Sequence, residues 1–241
     1  MTSLAVPLSA ILLLACVFAF GKYLRISPSR HARQWLSAAS GASVAYVFVR
    51  ALPEMSEAQN VFTRVTLNRE LPFAEVHVYT AALIGFLFFY GLENMVSRFD
   101  TVRGAQRESA ARLTYRLQLC GFAAYGGLVG YLMVHQRSLP TLLYLIAMGL
   151  HFLAVERSFE REYGPIYDRS GRWLLATAIL AGGSAGIFTS MSEELLATLL
   201  GLNSGGVIIN SMIMELPTEK EGQFWPFCSG AIAYSLLLLL I

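Results

Sequence analysis

Charge is what this chain has least of. Only 14% of its 241 residues are Asp, Glu, Lys or Arg, against roughly 25% in an average soluble domain. That shortage excludes a water-facing globule, because too little polar surface is available to coat one. Cysteine is also scarce: Cys16, Cys120 and Cys228 are too few for a disulfide scaffold. All three lie inside apolar stretches and read as packed thiols. Glycine-rich nucleotide fingerprints, P-loops and nucleophile elbows are absent. No catalytic or cofactor-binding residue is therefore assigned, an enzyme is not expected, and neither is a nucleic-acid partner.

What is abundant is apolar. Hydrophobic residues make up 55% of the chain, with a mean hydropathy of +0.53. Long runs of them make the lipid bilayer the natural solvent. Reading for apolar stretches of about 17–25 residues gives eight candidate helices, at 4–20, 36–52, 76–96, 117–134, 139–155, 173–191, 195–216 and 224–241. The expectation is an all-α, polytopic membrane protein with a single integral domain over 1–241. No Lys or Arg precedes the first run, so it reads as a retained helix and not as a cleaved signal peptide. The segment 54–75, with alternating charges, reads as a loop carrying a short interfacial helix.

The few charges are sorted. Fourteen of the eighteen basic residues fall after the first, third, fifth and seventh runs: Lys22 to Arg33, Arg98 to Arg116, Arg157 to Arg172, and Lys220. Cytoplasmic segments carry the excess of Lys and Arg, which places both termini on the non-cytoplasmic side. Arg50, near the end of the second run, is expected to snorkel or to pair with Glu54.

An internal repeat is also visible. Ser40-Gly41-Ala42-Ser43 opens a segment that closes with Leu52-Pro53, and Ser204-Gly205-Gly206-Val207 opens one that closes with Leu216-Pro217. The two align without a gap at an offset of 164 residues. Proline cannot continue intrahelical hydrogen bonding, so Leu-Pro is read as the end of both helices. On the charge argument the two segments run in opposite directions, as in inverted-repeat transporters. The layout is 3+2+3: one repeat over about 4–96, central helices over about 117–155, and a second repeat over about 173–241.

This layout, the segments 40–54 and 204–217, and the run Phe86-Leu87-Phe88-Phe89-Tyr90-Gly91-Leu92-Glu93 together resemble the ZIP metal-transporter superfamily. The likeness covers nearly the whole chain in layout and only these segments in sequence. It implies a ZIP-like bundle in which divalent zinc, iron or manganese moves between the fourth and fifth helices. Family ligands there sit in motifs resembling His-Asn-x-x-Asp-Gly and His-Glu-x-x-His-Glu. In this chain the first position holds Gly121-Phe122-Ala123-Ala124-Tyr125-Gly126, which keeps only the final glycine. The second holds His151-Phe152-Leu153-Ala154-Val155-Glu156, which keeps the first His and the last Glu. The resemblance thus leaves His151 and Glu156 as remnant metal positions, with Zn2+ or another divalent cation as the ion. Five residues apart, they stand about 140° apart around a helix and do not chelate one ion together.

Other polar groups suggest a path. Asn203, Asn210 and Glu215 with Ser43 and Tyr46 form a stripe that either lines a polar route or supplies interhelical hydrogen bonds. Gly126-x-x-x-Gly130, Gly182-x-x-x-Gly186 and Gly201-x-x-x-Gly205 are ridges that let helix backbones approach closely. Two functions stay open. One is a divalent-metal transporter; the other is a transport-inactive accessory or structural subunit of a larger membrane complex. A homodimer is also compatible with this layout.

Overall fold

The computed structural model describes residues 5–24, 30–67, 73–99, 106–135, 141–212 and 223–239. Apolar sequence in long helical stretches yields a helical, multi-pass membrane protein. Its helices are α1 (Ala5–Phe20), α2 (Arg30–Tyr46), α3 (Leu52–Thr66), α4 (His77–Phe99), α5 (Gln106–His135), α6 (Thr141–Tyr163), α7 (Arg172–Phe188), α8 (Glu193–Asn210) and α9 (Phe224–Leu239).

The eight-span expectation is corrected here, and the 3+2+3 ZIP-like bundle with it. Four helical stretches among the described residues are long and apolar enough to cross a membrane: Ala5–Tyr23, Ala74–Met95, Ala111–His135 and Tyr167–Phe188. Helix boundaries explain the difference. The sequence reading placed spans on apolar runs, whereas the helices extend beyond those runs into charge. α2 begins with Arg30, His31 and Arg33; α6 runs on through Glu156, Arg157, Glu160, Arg161 and Glu162. α8 opens on Glu193 and Glu194 and carries Asn203 and Asn210. The apolar α9 is shorter than a span.

Helix pairing follows the small residues. α5 packs on α7, α4 on α8, α2 on α9, and α1 lies against α6 and α7. At Gly205 of α8, a Cβ would collide with the carbonyl oxygen of Ala82 in α4; at Gly85 of α4, one would collide with that of Leu202 in α8. The α2–α9 crossing is built the same way, with Gly41 against Phe227 O and Gly230 against Ala38 O. Backbones this close gain dispersion and interhelical contact that no side chain interrupts. Gly41 and Gly205 are the pair that the 164-residue offset relates, and a π-turn begins six residues after each, at Val47 and Ser211.

Pro53 does not end its helix. The chain stays helical from α2 through a π-helical turn, Val47–Ala51, into α3, with the Leu52 N–H bonded to Val47 O. A π-turn is one of the ways a helix accommodates an interruption of its ladder, and Pro53 then sits in the first turn of α3, where no donor is needed. Leu216 and Pro217 lie outside the described residues. The segment after Pro53, read as a loop with a short interfacial helix, is instead the 15-residue amphipathic helix α3, which packs on α8 and buries Met55, Ala58 and Phe62. Cys16 and Cys120 are exposed and not packed in the core.

Candidate functional site

Two adjacent spaces lie where the α2–α3 junction, α5, α6 and α8 meet. The outer one is an open pocket of about 600 Å³ bordered by Glu54, Glu57 and Arg64 of α3, His135 at the end of α5, and Ser190 and Glu193 at the start of α8. The inner one is a chamber of about 10 Å³ lined by Tyr46, Glu54, Tyr144, Asn203 and Ser204, on the order of one water molecule. Glu54, Leu132 and Leu200 line both spaces, so the pocket is a vestibule with the chamber behind its floor.

Local sequence sets each of these groups. Ser192 caps α8, its hydroxyl accepting the Leu195 N–H at 3.3 Å, and Glu193 and Glu194 in the first turn complement the helix dipole. That start places Glu193 at the vestibule and Asn203 about three turns deeper. The π-turn after Tyr46 leads into the first turn of α3, where Glu54 is 8% exposed. Arg50 and Glu54 pair as expected, Nε donating to Oε1 at 2.9 Å. α3 itself is held by Gln59, whose amide donates to Ala74 O at 2.7 Å and accepts the Val78 N–H at 2.8 Å. His77, at the start of α4, stacks on Phe62 and meets Thr198 Oγ1 at 3.1 Å.

The chamber sets its polar side chains against the apolar Ala51, Leu132, Leu200 and Val207. Burial raises the Tyr46 phenol well above its ordinary pKa and the Glu54 carboxylate adds to the effect; the same two causes raise Tyr144. Asn203 is 7% exposed, and its Oδ1 is buried without a hydrogen-bond partner.

Of the stripe proposed from sequence, Tyr46 and Asn203 line the chamber. Ser43 and Asn210 are buried outside its lining, with Asn210 Nδ2 lacking a partner. Glu215 lies outside the described residues. Sequence reading missed Tyr144, which looks like one more aromatic in an apolar run. It treated Glu54 only as a surface partner for Arg50.

The remnant metal positions are elsewhere and apart. His151 is 2% exposed, and its Nε2 lies 3.2 Å from Tyr125 Oη across α5 and α6. Around them, Phe18 meets Phe152 at 5.1 Å, and Phe122 meets Phe89 and Phe159 at 5.1 and 5.2 Å. Aromatic packing thus fills the centre of the bundle. Glu156, also 2% exposed, sits against Gly21 at the end of α1. Among the described residues, no three His, Cys, Asp or Glu side chains converge to hold a metal ion.

Comparison with protein families, with curated proteins and with solved structures gives no match. The chain stands as a polytopic, largely helical membrane protein.

Proposed function

We propose that this chain is a membrane transport protein that admits a small cationic solute through the vestibule. The observation that carries this reading is an open vestibule that shares a wall, Glu54, Leu132 and Leu200, with a buried chamber. Glu57 and Glu193, with Glu54 already paired to Arg50, border the vestibule against one guanidinium, Arg64, and His135. A cleft lined mainly by one sign of charge concentrates the opposite ion. The local likeness to the ZIP superfamily in segments 40–54, 86–93 and 204–217 supports transport as the class of function. Zinc, iron or manganese as the cargo draws support from that resemblance alone, because divalent ions require several converging hard or imidazole ligands. The related segments 40–53 and 204–217, with matched glycines and matched π-turns, support duplicated units over about 4–96 and 173–241. The reading involves no enzymatic step.

The second reading is a transport-inactive accessory subunit, and the aromatic filling around Tyr125 and His151 favours it. Proteoliposome uptake separates the two. Vesicles of purified protein are assayed with labelled zinc, manganese, iron and sodium. Uptake above empty vesicles, lost when Ala58→Trp fills the vestibule wall, supports transport. No uptake of any of these ions, with co-purification at fixed stoichiometry in a larger complex, overturns transport in favour of the subunit role.

A further inference from the structure

The chamber behind the vestibule has a chemistry narrower than its mouth. We propose that it is a binding site for one dehydrated monovalent alkali cation, and that Arg50 is a tethered competitor for the same carboxylate. This deepens the transport reading and rests on it for the route of entry.

Four observations converge. First, the polar side chains of the lining, Tyr46, Glu54, Tyr144, Asn203 and Ser204, all carry hard oxygen atoms. Carboxylate and carbonyl ligands suit hard cations and not soft ones. Second, Asn203 Oδ1 is buried, unpartnered and part of the same lining. A buried acceptor without a donor carries a desolvation cost that a cation in the chamber removes. Third, the free volume of about 10 Å³ takes something the size of a single water. Mg²⁺ normally keeps several of its waters, which this volume does not admit, and Ca²⁺ is disfavoured by the single carboxylate and not by size. Fourth, Glu54 is the one charged residue of the lining, so once Arg50 yields it the carboxylate balances one positive charge and not two.

Arg50 gives the site its distinguishing property. Its Nε holds Glu54 Oε1 at 2.9 Å, and its Nη2 is buried with no partner of its own. A guanidinium already neutralising the carboxylate must yield some of that contact when a cation enters. The ion and Arg50 therefore compete, and removing Arg50 tightens binding where removing Glu54 abolishes it. A site that merely stabilises the fold through the Arg50–Glu54 pair predicts the same loss from either change.

The test uses the full chain in nanodiscs. Labelled sodium binding is measured together with the thermal midpoint in sodium, potassium or N-methylglucamine chloride at equal ionic strength. Saturable sodium binding and a midpoint higher in sodium than in N-methylglucamine are expected. Glu54→Gln should lose both, Asn203→Leu should weaken binding tenfold or more, and Arg50→Ala should strengthen it. Tyr144→Phe, which keeps shape, serves if Glu54→Gln does not fold, and should weaken binding several-fold. Folded wild type with no sodium effect, or binding unchanged in Asn203→Leu and Tyr144→Phe, overturns the site and leaves the chamber to water. Sodium binding without uptake of any solute keeps the site and overturns transport. Sodium-independent uptake does the reverse.

Discussion

Tyr125 Oη and His151 Nε2 lie 3.2 Å apart at the buried centre of the bundle, tying α5 to α6. The bond satisfies an imidazole that the family likeness offers as a metal ligand. Interhelical hydrogen bonds of this kind contribute about 0.6–2 kcal/mol in membranes. A double-mutant cycle of Tyr125→Phe and His151→Leu should therefore show a coupling in that range. Zinc content of the purified protein should be the same for wild type and His151→Ala; a loss of bound zinc in the variant would restore the metal role.

Gln59 is a brace whose removal should be felt at the vestibule. It joins Ala74 O and the Val78 N–H at the start of α4 to the middle of α3. Gln59→Leu leaves both backbone groups without this partner, at about 1–3 kcal/mol for each group left unsatisfied. The expected outcome is a lower thermal midpoint. Faster amide exchange at Val78 and along 52–66, with α5 and α7 unchanged, would locate the damage.

These features differ in how far sequence reveals them. Hydropathy announces the membrane, and the Ser-Gly pairs and GxxxG ridges announce close helix approach, because both are one-dimensional patterns with direct physical meaning. The Arg50–Glu54 pair is visible because i,i+4 spacing on a helix brings side chains together. The span count is not legible in the same way. Apolar runs say where lipid is tolerated, while hydrogen bonding carries α6 onward into Glu156 through Tyr163. Pro53 misleads for a related reason. Its missing N–H stops an ideal α-helix, and a π-turn set by the surroundings lets this one continue. The chamber is hidden altogether, since it takes Tyr46, Glu54, Tyr144 and Asn203 from four helical segments that only packing brings together.

Burial of Tyr46 and Tyr144 makes stability depend on alkaline pH. Both phenols have raised pKa values in the folded protein, from burial first and the Glu54 carboxylate second. In the unfolded chain they titrate near 10. Above that pH the unfolded state loses protons that the folded state keeps, so stability falls as pH rises. The contribution is fully present below about pH 10. Thermal midpoints measured between neutral pH and pH 11 should drop at the alkaline end, and the Tyr46→Phe, Tyr144→Phe double variant should drop less. An equal drop in both proteins would assign the effect to other groups.

The glycine crossings make the sharpest stability prediction, because the structure also supplies an internal control. At Gly41 and Gly205 a Cβ meets backbone carbonyl oxygen, of Phe227 and Ala82 respectively. Backbone cannot rotate aside as a side chain can, so the helices must separate along their length. Overpacking a tight interface costs about 1–3 kcal/mol and sometimes more, which outweighs the roughly 1 kcal/mol that Ala gains over Gly in helix propensity. At Gly91, on the same α4 helix that Gly205 contacts, a Cβ meets nothing within 4 Å. Gly91→Ala should therefore be neutral or stabilising, while Gly205→Ala and Gly41→Ala lower the thermal midpoint in detergent. Because α4–α8 and α2–α9 are separate crossings, the two losses should add. If Gly205→Ala were as stable as Gly91→Ala, the backbone contact between α4 and α8 would not be as close as described, and the helix pairing that positions Asn203 would need to be redrawn.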